Sequence, residues 1–339
     1  MKATNFAASG NRSGVAPAMM GVDTSAVETT LRELVGLNHV ADRLSLKKFK
    51  VRSIMSGNYL SRVRGRGMEF DEVRLYMPGD DVRSLDWRVT ARTGKVHTKL
   101  YREERERPIF LSVDYRSTMF FATRGVFKSV MAAKLAALIA WSGNHHADRV
   151  GGQVFTDDEI LEFKPRRGKQ GLLHLLKHLA DLSSRLRLEQ GSGEGVSARG
   201  GDATGSVEET FGRALERLSR HGHPGNLIFI LSDFRGLTAE TELLLVRLAR
   251  HCDVVPILIY DQLEYSLPRG GLYRFSNGAE RMTVDLSDSR YHRQYREKFE
   301  ERRTRLKRLG TKQRIKILEC CTHEEPLDVL ACLAGSKAL

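Results

Sequence analysis

Two groups of residues in this chain have the types and spacing that chemistry needs. The first lies between Arg66 and Arg92 and holds Glu69, Arg74, Tyr76, Pro78, Gly79, Asp80, Asp81, Arg83, Asp86, Trp87 and Arg92. Paired acids can bind a metal or shuttle protons, which would support a metal-dependent hydrolase using the carboxylates of residues 69–86. The same residues allow a blander arrangement. Arg74, Arg83, Arg88 and Arg92 can form bidentate pairs with Asp80, Asp81, Asp86 and Glu69, clamping the module to its neighbour. No nucleophile or base accompanies the acids in the motif, and the nearest histidine is His97. Pro78-Gly79 suits a type II turn, with proline second and glycine third.

The second group follows an apolar run, Ile109 to Val113, which leads into Asp114-Tyr115-Arg116-Ser117-Thr118-Met119. A later apolar run leads into Ser232-Asp233-Phe234. Continuous apolar runs mark strands buried on both faces of a parallel sheet. Helical and strand patterns alternate from Pro108 onward: helices over 127–145, 172–186, 207–221, 239–251 and 289–309, strands over 149–155, 160–163, 227–231, 254–260 and 315–320, two short strands within 271–286, and a closing helix over 327–334. That alternation predicts a doubly wound, mostly parallel α/β sheet, with ligands at the carboxyl ends of the strands. Asp114 and Asp233 both fall there. Residues 27–49 read as one amphipathic helix, and 51–107 as a β-rich, charged module. The chain thus divides into a tail (1–25), a helix plus β-rich module (26–107), and the α/β domain (108–335), whose Gly/Ser-rich segment 189–206 reads as a mobile loop.

The module's Gly-x-Gly-x-Glu-Phe run, its Arg-x-Tyr-x-Pro-Gly-Asp-Asp-x-Arg, Asp86-Trp87 and Ala91-Arg92 resemble the bacterial domain-of-unknown-function-58 family, whose core is similar to a von Willebrand factor A domain. The likeness continues through Phe127-Lys128-Ser129-Val130, Asp148-Arg149-Val150-Gly151 and Asp261-Gln262-Leu263-Glu264, and covers about residues 55–330. It implies a degenerate metal-ion-dependent adhesion site in which Asp114, Thr118 and Asp233 match the metal-holding positions and Arg116 stands where the first hydroxyl belongs. The cofactor is then either none or Mg²⁺. An arginine there repels a divalent cation and can pair with Asp114 and Asp233 in its place, while Asp114 caps the following turn. The resemblance further implies a non-enzymatic adaptor that presents a client protein to a MoxR-type AAA+ ATPase. Its recognition edge would be Asp114, Arg116, Ser117, Thr118 and Asp233, with Arg116 reading a carboxylate of the partner.

Composition narrows the alternatives. The 339 residues carry a net charge of +13, which permits an acidic partner. The basic surplus concentrates in residues 290–316 and again in 47–107, so binding nucleic acid through basic patches is the competing function, although few aromatics interleave with the arginines. The helix from Ser289 has Tyr291, Tyr295, Phe299 and Leu306 as apolar anchors, which also fits an ordinary amphipathic helix with snorkelling arginines. No apolar run reaches the ~18 residues of a membrane span, and the first residues lack an apolar signal core. Cys252, Cys320, Cys321 and Cys332 show no metal spacing and read as buried reduced thiols, hence a cytoplasmic protein. There is no Walker A motif. Glu162-Phe163-Lys164 is too common a triplet to mark a nuclease, and Gly151-Gly152 reads as a close backbone approach within a strand.

Overall fold

The computed structural model describes residues 24–44, 68–103, 108–191, 207–265, 272–276, 281–285 and 289–334. The expected tail lies outside these except for its last two residues, which are helical. The expected loop at 189–206 lies outside them from 192 onward, and its first three residues close a helix. The side chains of Glu69, Tyr291 and Tyr295 also lie outside the description.

The apolar runs form a six-stranded sheet. Its strands are β3 (Ile109–Asp114), β4 (Val150–Phe155), β5 (Ile160–Arg166), β6 (Leu227–Ser232), β7 (Asp253–Tyr260) and β10 (Leu318–Cys321), in the order β10-β7-β6-β3-β4-β5. Only β5 runs antiparallel, at the edge beside β4. Side chains alternate between the two faces of a strand, and the sheet has a core on each. Ile109, Leu111 and Val113 join one cluster while Phe110 joins the other; Leu227, Phe229 and Leu231 are likewise separated from Ile228 and Ile230. Double-sided burial explains why these strands read as unbroken apolar runs. Gly151 and Gly152 admit neighbouring backbone: a Cβ on Gly152 would lie 2.3 Å from the Leu111 carbonyl oxygen, and one on Gly151 2.5 Å from that of Phe163.

Helix α5 (Lys128–His145) is buried over nearly its whole circumference. One side meets the sheet. Over the rest lie α6 (Lys169–Gly191), α11 (Pro326–Ala334) and three short N-terminal helices, α1 (Thr24–Val27), α2 (Leu31–Gly36) and α3 (Asn38–Ala41). The expected single helix over 27–49 is therefore broken within 27–44; 45–49 lie outside the description. Thr30 caps α2 through the Glu33 N–H, with Glu33 reaching back to the Thr30 N–H, a reciprocal cap that starts a new helix. The Trp141 indole donates to the Leu34 carbonyl at 3.0 Å and the Ser142 hydroxyl to the Leu44 carbonyl at 2.7 Å. These helices thus belong with the α/β unit, whereas Ile54–Glu106 form a separate unit. The expected grouping of 26–107 divides at that point. On the opposite sheet face lie α7 (Val207–His221), α8 (Ala239–His251) and α10 (Ser289–Gln313).

In the smaller unit, β1 (Met68–Leu75) pairs antiparallel with β2 (His97–Glu103). The connection is helical rather than β-rich: a single 3-10 turn over Val82–Ser84 and α4 (Trp87–Thr93). Helix α9 (Gln262–Tyr265) follows β7, and the hairpin β8 (Leu272–Ser276) and β9 (Arg281–Asp285) follows in turn.

Candidate functional site

The strand order reverses direction between β3 and β6, where chain connections leave to opposite sides; in such sheets the carboxyl ends at this point are where ligands bind. Asp114 ends β3 and Asp233 follows β6, and neither has exposed surface. Arg116 turns back onto Asp114. Its Nε donates to Oδ1 at 2.9 Å and to Oδ2 at 3.1 Å, and its Nη2 to Oδ2 at 2.5 Å. Asp114 Oδ1 also accepts the Arg116 backbone N–H at 3.0 Å, and Oδ2 the Ser232 hydroxyl at 2.6 Å. The remaining guanidinium nitrogen, Nη1, donates to the Arg235 carbonyl at 2.9 Å. The rings of Phe155 and Phe211 lie 5.5 Å and 5.2 Å from the guanidinium carbon, within cation–π range.

A second buried cation completes the cluster. Lys128 Nζ donates to Asp233 Oδ2 at 3.0 Å and to Glu264 Oε1 at 3.1 Å. Arg235 Nη2 donates to the same Glu264 oxygen at 2.6 Å, and its backbone N–H to Asp233 Oδ1 at 3.0 Å. Beside it, Asp261 accepts from the Thr123 N–H and hydroxyl and from the Thr322 hydroxyl, fastening three loops at the strand ends. Phe234, between Asp233 and Arg235, takes a left-handed φ of 52°. Such backbone in a non-glycine residue costs on the order of 1–3 kcal/mol. It persists here because the Phe234 ring is buried edge-on against Phe211 and its N–H is bonded to Ser232.

Burial alone would raise the Asp233 carboxyl. Lys128 first, then Arg235 and Arg116, outweigh burial and hold it far below the usual carboxylate range. Glu264 is likewise lowered, with burial opposed by Lys128, Arg235 and Arg302. Burial would lower Arg116, but Asp114 and then Asp233 raise it. All three groups are therefore charged at neutral pH.

This donor set does not fit Mg²⁺. A hard cation needs carboxylate and hydroxyl oxygens with free lone pairs and no competing positive charge. Both oxygens of Asp114 face Arg116, both oxygens of Asp233 accept from Lys128 or Arg235, and two cations lie between the acids. Among the described residues, no three His, Cys, Asp or Glu side chains converge as a metal site. Of the expected recognition residues, Asp114, Arg116 and Asp233 come together but are enclosed. An enclosed Arg116 is not available to a partner's carboxylate, contrary to expectation, because its nitrogens already face Asp114, Asp233 and the Arg235 carbonyl. Ser117 and Thr118 are half-buried residues beside it, and their hydroxyl oxygens are themselves buried, with no hydrogen-bond partner among the described residues.

The acid–arginine module differs from the expected salt-bridge network. Among the described side chains, only Arg74 pairs as anticipated, with Asp80 at 2.7 Å. Asp80 also takes the Met77 N–H at 2.9 Å, the leading cause of its lowered pKa. Asp81 caps the 3-10 turn through the Arg83 N–H. Asp86 caps α4 through the N–H groups of Arg88 and Val89 and meets Lys99 at 3.6 Å. The Asp81 and Asp86 carboxylates thus start short helices, which is the common use of aspartate at an N-cap. Arg83, Arg88 and Arg92 remain exposed, their guanidinium groups without a partner among the described residues. The Met77–Asp80 turn is the expected type II, with the Asp80 N–H bonded to the Met77 carbonyl and Gly79 at φ 108°.

Sequence reasoning missed Lys128, Ser232, Arg235, Asp261 and Glu264 as members of the central cluster. Two of them left signals. A lysine in the first turn of a long helix opposes the helix dipole, so Lys128 needed a buried acid. Asp261-x-x-Glu264 is spaced as a reciprocal cap, and the Asp261 N–H does donate to Glu264.

Helix α10 is less available than its charge suggests. Arg303 pairs with Glu319 at 2.7 Å, Arg305 with Glu242 at 2.7 Å and Lys307 with Glu319 at 2.9 Å, while Phe299 and Leu306 are buried. Glu162 meets His221 at 2.9 Å. All four cysteines are free; Cys252, Cys320 and Cys321 are buried, but Cys332 is exposed, contrary to the expectation of four buried thiols. Burial pushes the Cys252 thiol up to about 11.

The family described as "Protein of unknown function DUF58" matches residues 72–308. "Uncharacterized protein Rv1480" of Mycobacterium tuberculosis is 29% identical over 224 residues, 66% of this chain and 65% of that protein. The match therefore spans just under two thirds of that relative's length. "Uncharacterized protein YeaD" of Bacillus subtilis is 30% identical over 113 residues, covering 32% of this chain and 25% of its own. Among solved structures, the conserved hypothetical protein BatB from Bacteroides thetaiotaomicron matches 68% of this chain and 96% of its own at 13% identity, with a TM-score of 0.38.

Proposed function

The chain belongs to the DUF58 family, and from that premise we propose that it is a non-enzymatic protein-interaction adaptor built on a von Willebrand factor A-type α/β domain. Its partners in this reading are a MoxR-type AAA+ ATPase and a client protein, in the cytoplasm. One observation carries the proposal. The strand ends where such sheets bind ligands are neutralised internally by Arg116 and Lys128, while the half-buried Ser117 and Thr118 beside them hold buried hydroxyls with no partner among the described residues. A buried hydroxyl without a partner carries a desolvation cost, which rotation of these half-buried side chains toward a docked chain would relieve. Recognition then proceeds without a bridging metal, because the cations are side chains. No helix among the described residues is long and apolar enough to cross a membrane.

The test is affinity purification of the tagged protein from its native host after nuclease treatment, with and without chelator, beside the double variant Ser117→Ala/Thr118→Val. That variant removes the unpaired hydroxyls while keeping their volume. The expected result is an AAA+ ATPase recovered with the native protein in both conditions and depleted about tenfold with the variant, the scale of one or two interface hydrogen bonds. Loss on chelation overturns the metal-free reading. Equal recovery with the variant overturns the edge as the docking site, and recovery only without nuclease favours nucleic acid.

A further inference from the structure

The smaller unit carries a surface that the crevice does not involve. Among the described residues, nine large apolar side chains are exposed, and five of them lie at one end of the β1–β2 hairpin: Leu75, which ends β1, and Met77, Val82, Trp87 and Val96 in the connection. Trp87 is 70% exposed, Met77 62% and Val82 61%. Isolated exposed leucines are ordinary, but large apolar side chains concentrated in one segment mark an interaction site. The topology holds the segment together. The Tyr76 N–H bonds to the Val96 carbonyl, the Asp86 N–H to the His97 carbonyl, and Leu85 bridges to Thr98. The turn at Met77–Asp80, the 3-10 turn and the start of α4 therefore share one end of the hairpin.

Charge identifies what this end accepts. The acids of the segment are engaged with backbone N–H groups: Asp80 with Met77, Asp81 with Arg83, Asp86 with Arg88 and Val89. The guanidinium groups of Arg83, Arg88 and Arg92 and the Lys95 ammonium have no partner among the described residues and all are exposed. Arg88 and Arg92 stand four apart on α4 and so share a helix face. An exposed tryptophan in the same short segment as exposed aliphatic side chains and unpaired arginines matches the composition of protein–protein hot spots. Single-stranded nucleic acid would call for further aromatic platforms, and here Trp87 is the one large exposed ring among the described residues of the segment.

We propose that the hairpin end centred on Trp87, with Met77, Val82, Arg83, Arg88 and Arg92, is a docking surface for an acidic protein segment that inserts an apolar anchor beside Trp87. The surface uses none of the residues of the strand-end cluster, so its test is separate from that of Ser117 and Thr118.

The chain offers its own reporter. Of its two tryptophans, Trp141 is buried and bonded to Leu34, so iodide quenching reports Trp87. The full-length protein would be titrated with a synthetic amphipathic helical peptide bearing Leu and Phe on one face and Glu on the other. Three controls accompany it: a peptide with Lys for Glu, a peptide with Ser for the apolar residues, and oligouridylate. The expected result is that the acidic amphipathic peptide alone protects Trp87 from iodide. Peptide affinity, followed by anisotropy of a labelled peptide, should fall at least about tenfold in Trp87→Ala and in Arg88→Glu/Arg92→Glu, as for hot-spot residues. These positions are exposed, so the variants should retain the native far-UV circular dichroism and melting temperature. Protection by oligouridylate, equal binding of the lysine peptide, or no binding of the acidic peptide each overturns the proposal. So does protection that rises with protein concentration alone, which would assign the surface to a second copy of the chain.

Discussion

Lys128 Nζ lies 3.0 Å from Asp233 Oδ2, and neither side chain has any exposed surface. The two residues are 105 positions apart, one beginning the central helix and the other following β6, so their contact ties the two halves of the sheet at the crevice. Charges this enclosed are stable only while every member is matched. Replacing Lys128 with Met keeps the stem's bulk and leaves Asp233 and Glu264 short of a counter-charge. We expect Lys128→Met to lose about 3–5 kcal/mol of unfolding free energy in urea. Adding Asp233→Asn should recover part of the loss, because it removes the stranded charge. A simple sum of the two single losses would show that they are not energetically paired.

The same cluster sets the response to acid. Asp233 and Glu264 both have folded pKa values below their ordinary 3.8 and 4.5. A depressed carboxylate contributes its stabilisation above its unfolded pKa and loses it as pH falls toward the folded value. Stability should therefore be flat above about pH 5 and fall below about pH 4, by up to about 1.4 kcal/mol per pH unit for each group. Urea unfolding at pH 7, 5, 4 and 3 measures this. In Lys128→Met the acid limb should be shallower, since the largest force lowering both pKa values has gone. An unchanged limb would place the acid sensitivity elsewhere.

Because Arg116 and Lys128 already balance the acids, Mg²⁺ has no favourable place among them. A ligand that binds only the folded state raises the melting temperature in proportion to its occupancy. We expect millimolar Mg²⁺ to leave the melting temperature of the native protein unchanged, and chelator to leave it unchanged as well. A rise with Mg²⁺ that chelator reverses would return Asp114, Thr118 and Asp233 to the role of metal ligands.

The sheet was legible because burial on both faces writes apolar runs that composition cannot hide, and Asp114 and Asp233 stood at their ends. The rest was obscured for specific physical reasons. Thr30 breaks the N-terminal amphipathic pattern by capping, a local event that helical periodicity overrides when the sequence is read. The arginines of the hairpin unit suggested ion pairs with the nearby aspartates, but three of those aspartates bond to backbone N–H groups two or three residues away, and chain proximity decides that competition. Lys128 was hidden by distance along the chain, since both of its partners are more than a hundred residues downstream. The enclosure of Arg116 depends on Phe155 and Phe211, whose approach no local pattern encodes.

Gly152 tests whether the close passage of β3 and β4 is required. A Cβ built there would lie 2.3 Å from the Leu111 carbonyl oxygen and 3.2 Å from its carbon. Both atoms are backbone in the middle of the buried sheet, so no flexible side-chain end can swing aside. The sheet must open locally or the strand must shift, straining the Leu111–Gly152 register. We expect Gly152→Ala to destabilise the protein by about 1–3 kcal/mol, the range for overpacking a filled core. This should hold although alanine normally favours a strand more than glycine does. Gly79 provides the contrast: no atom lies within 4 Å of its added Cβ, and only its φ of 108° resists substitution. A melting temperature for Gly152→Ala equal to that of the native chain would mean that the strands separate without cost, and that the tight β3–β4 contact does not help to place Asp114.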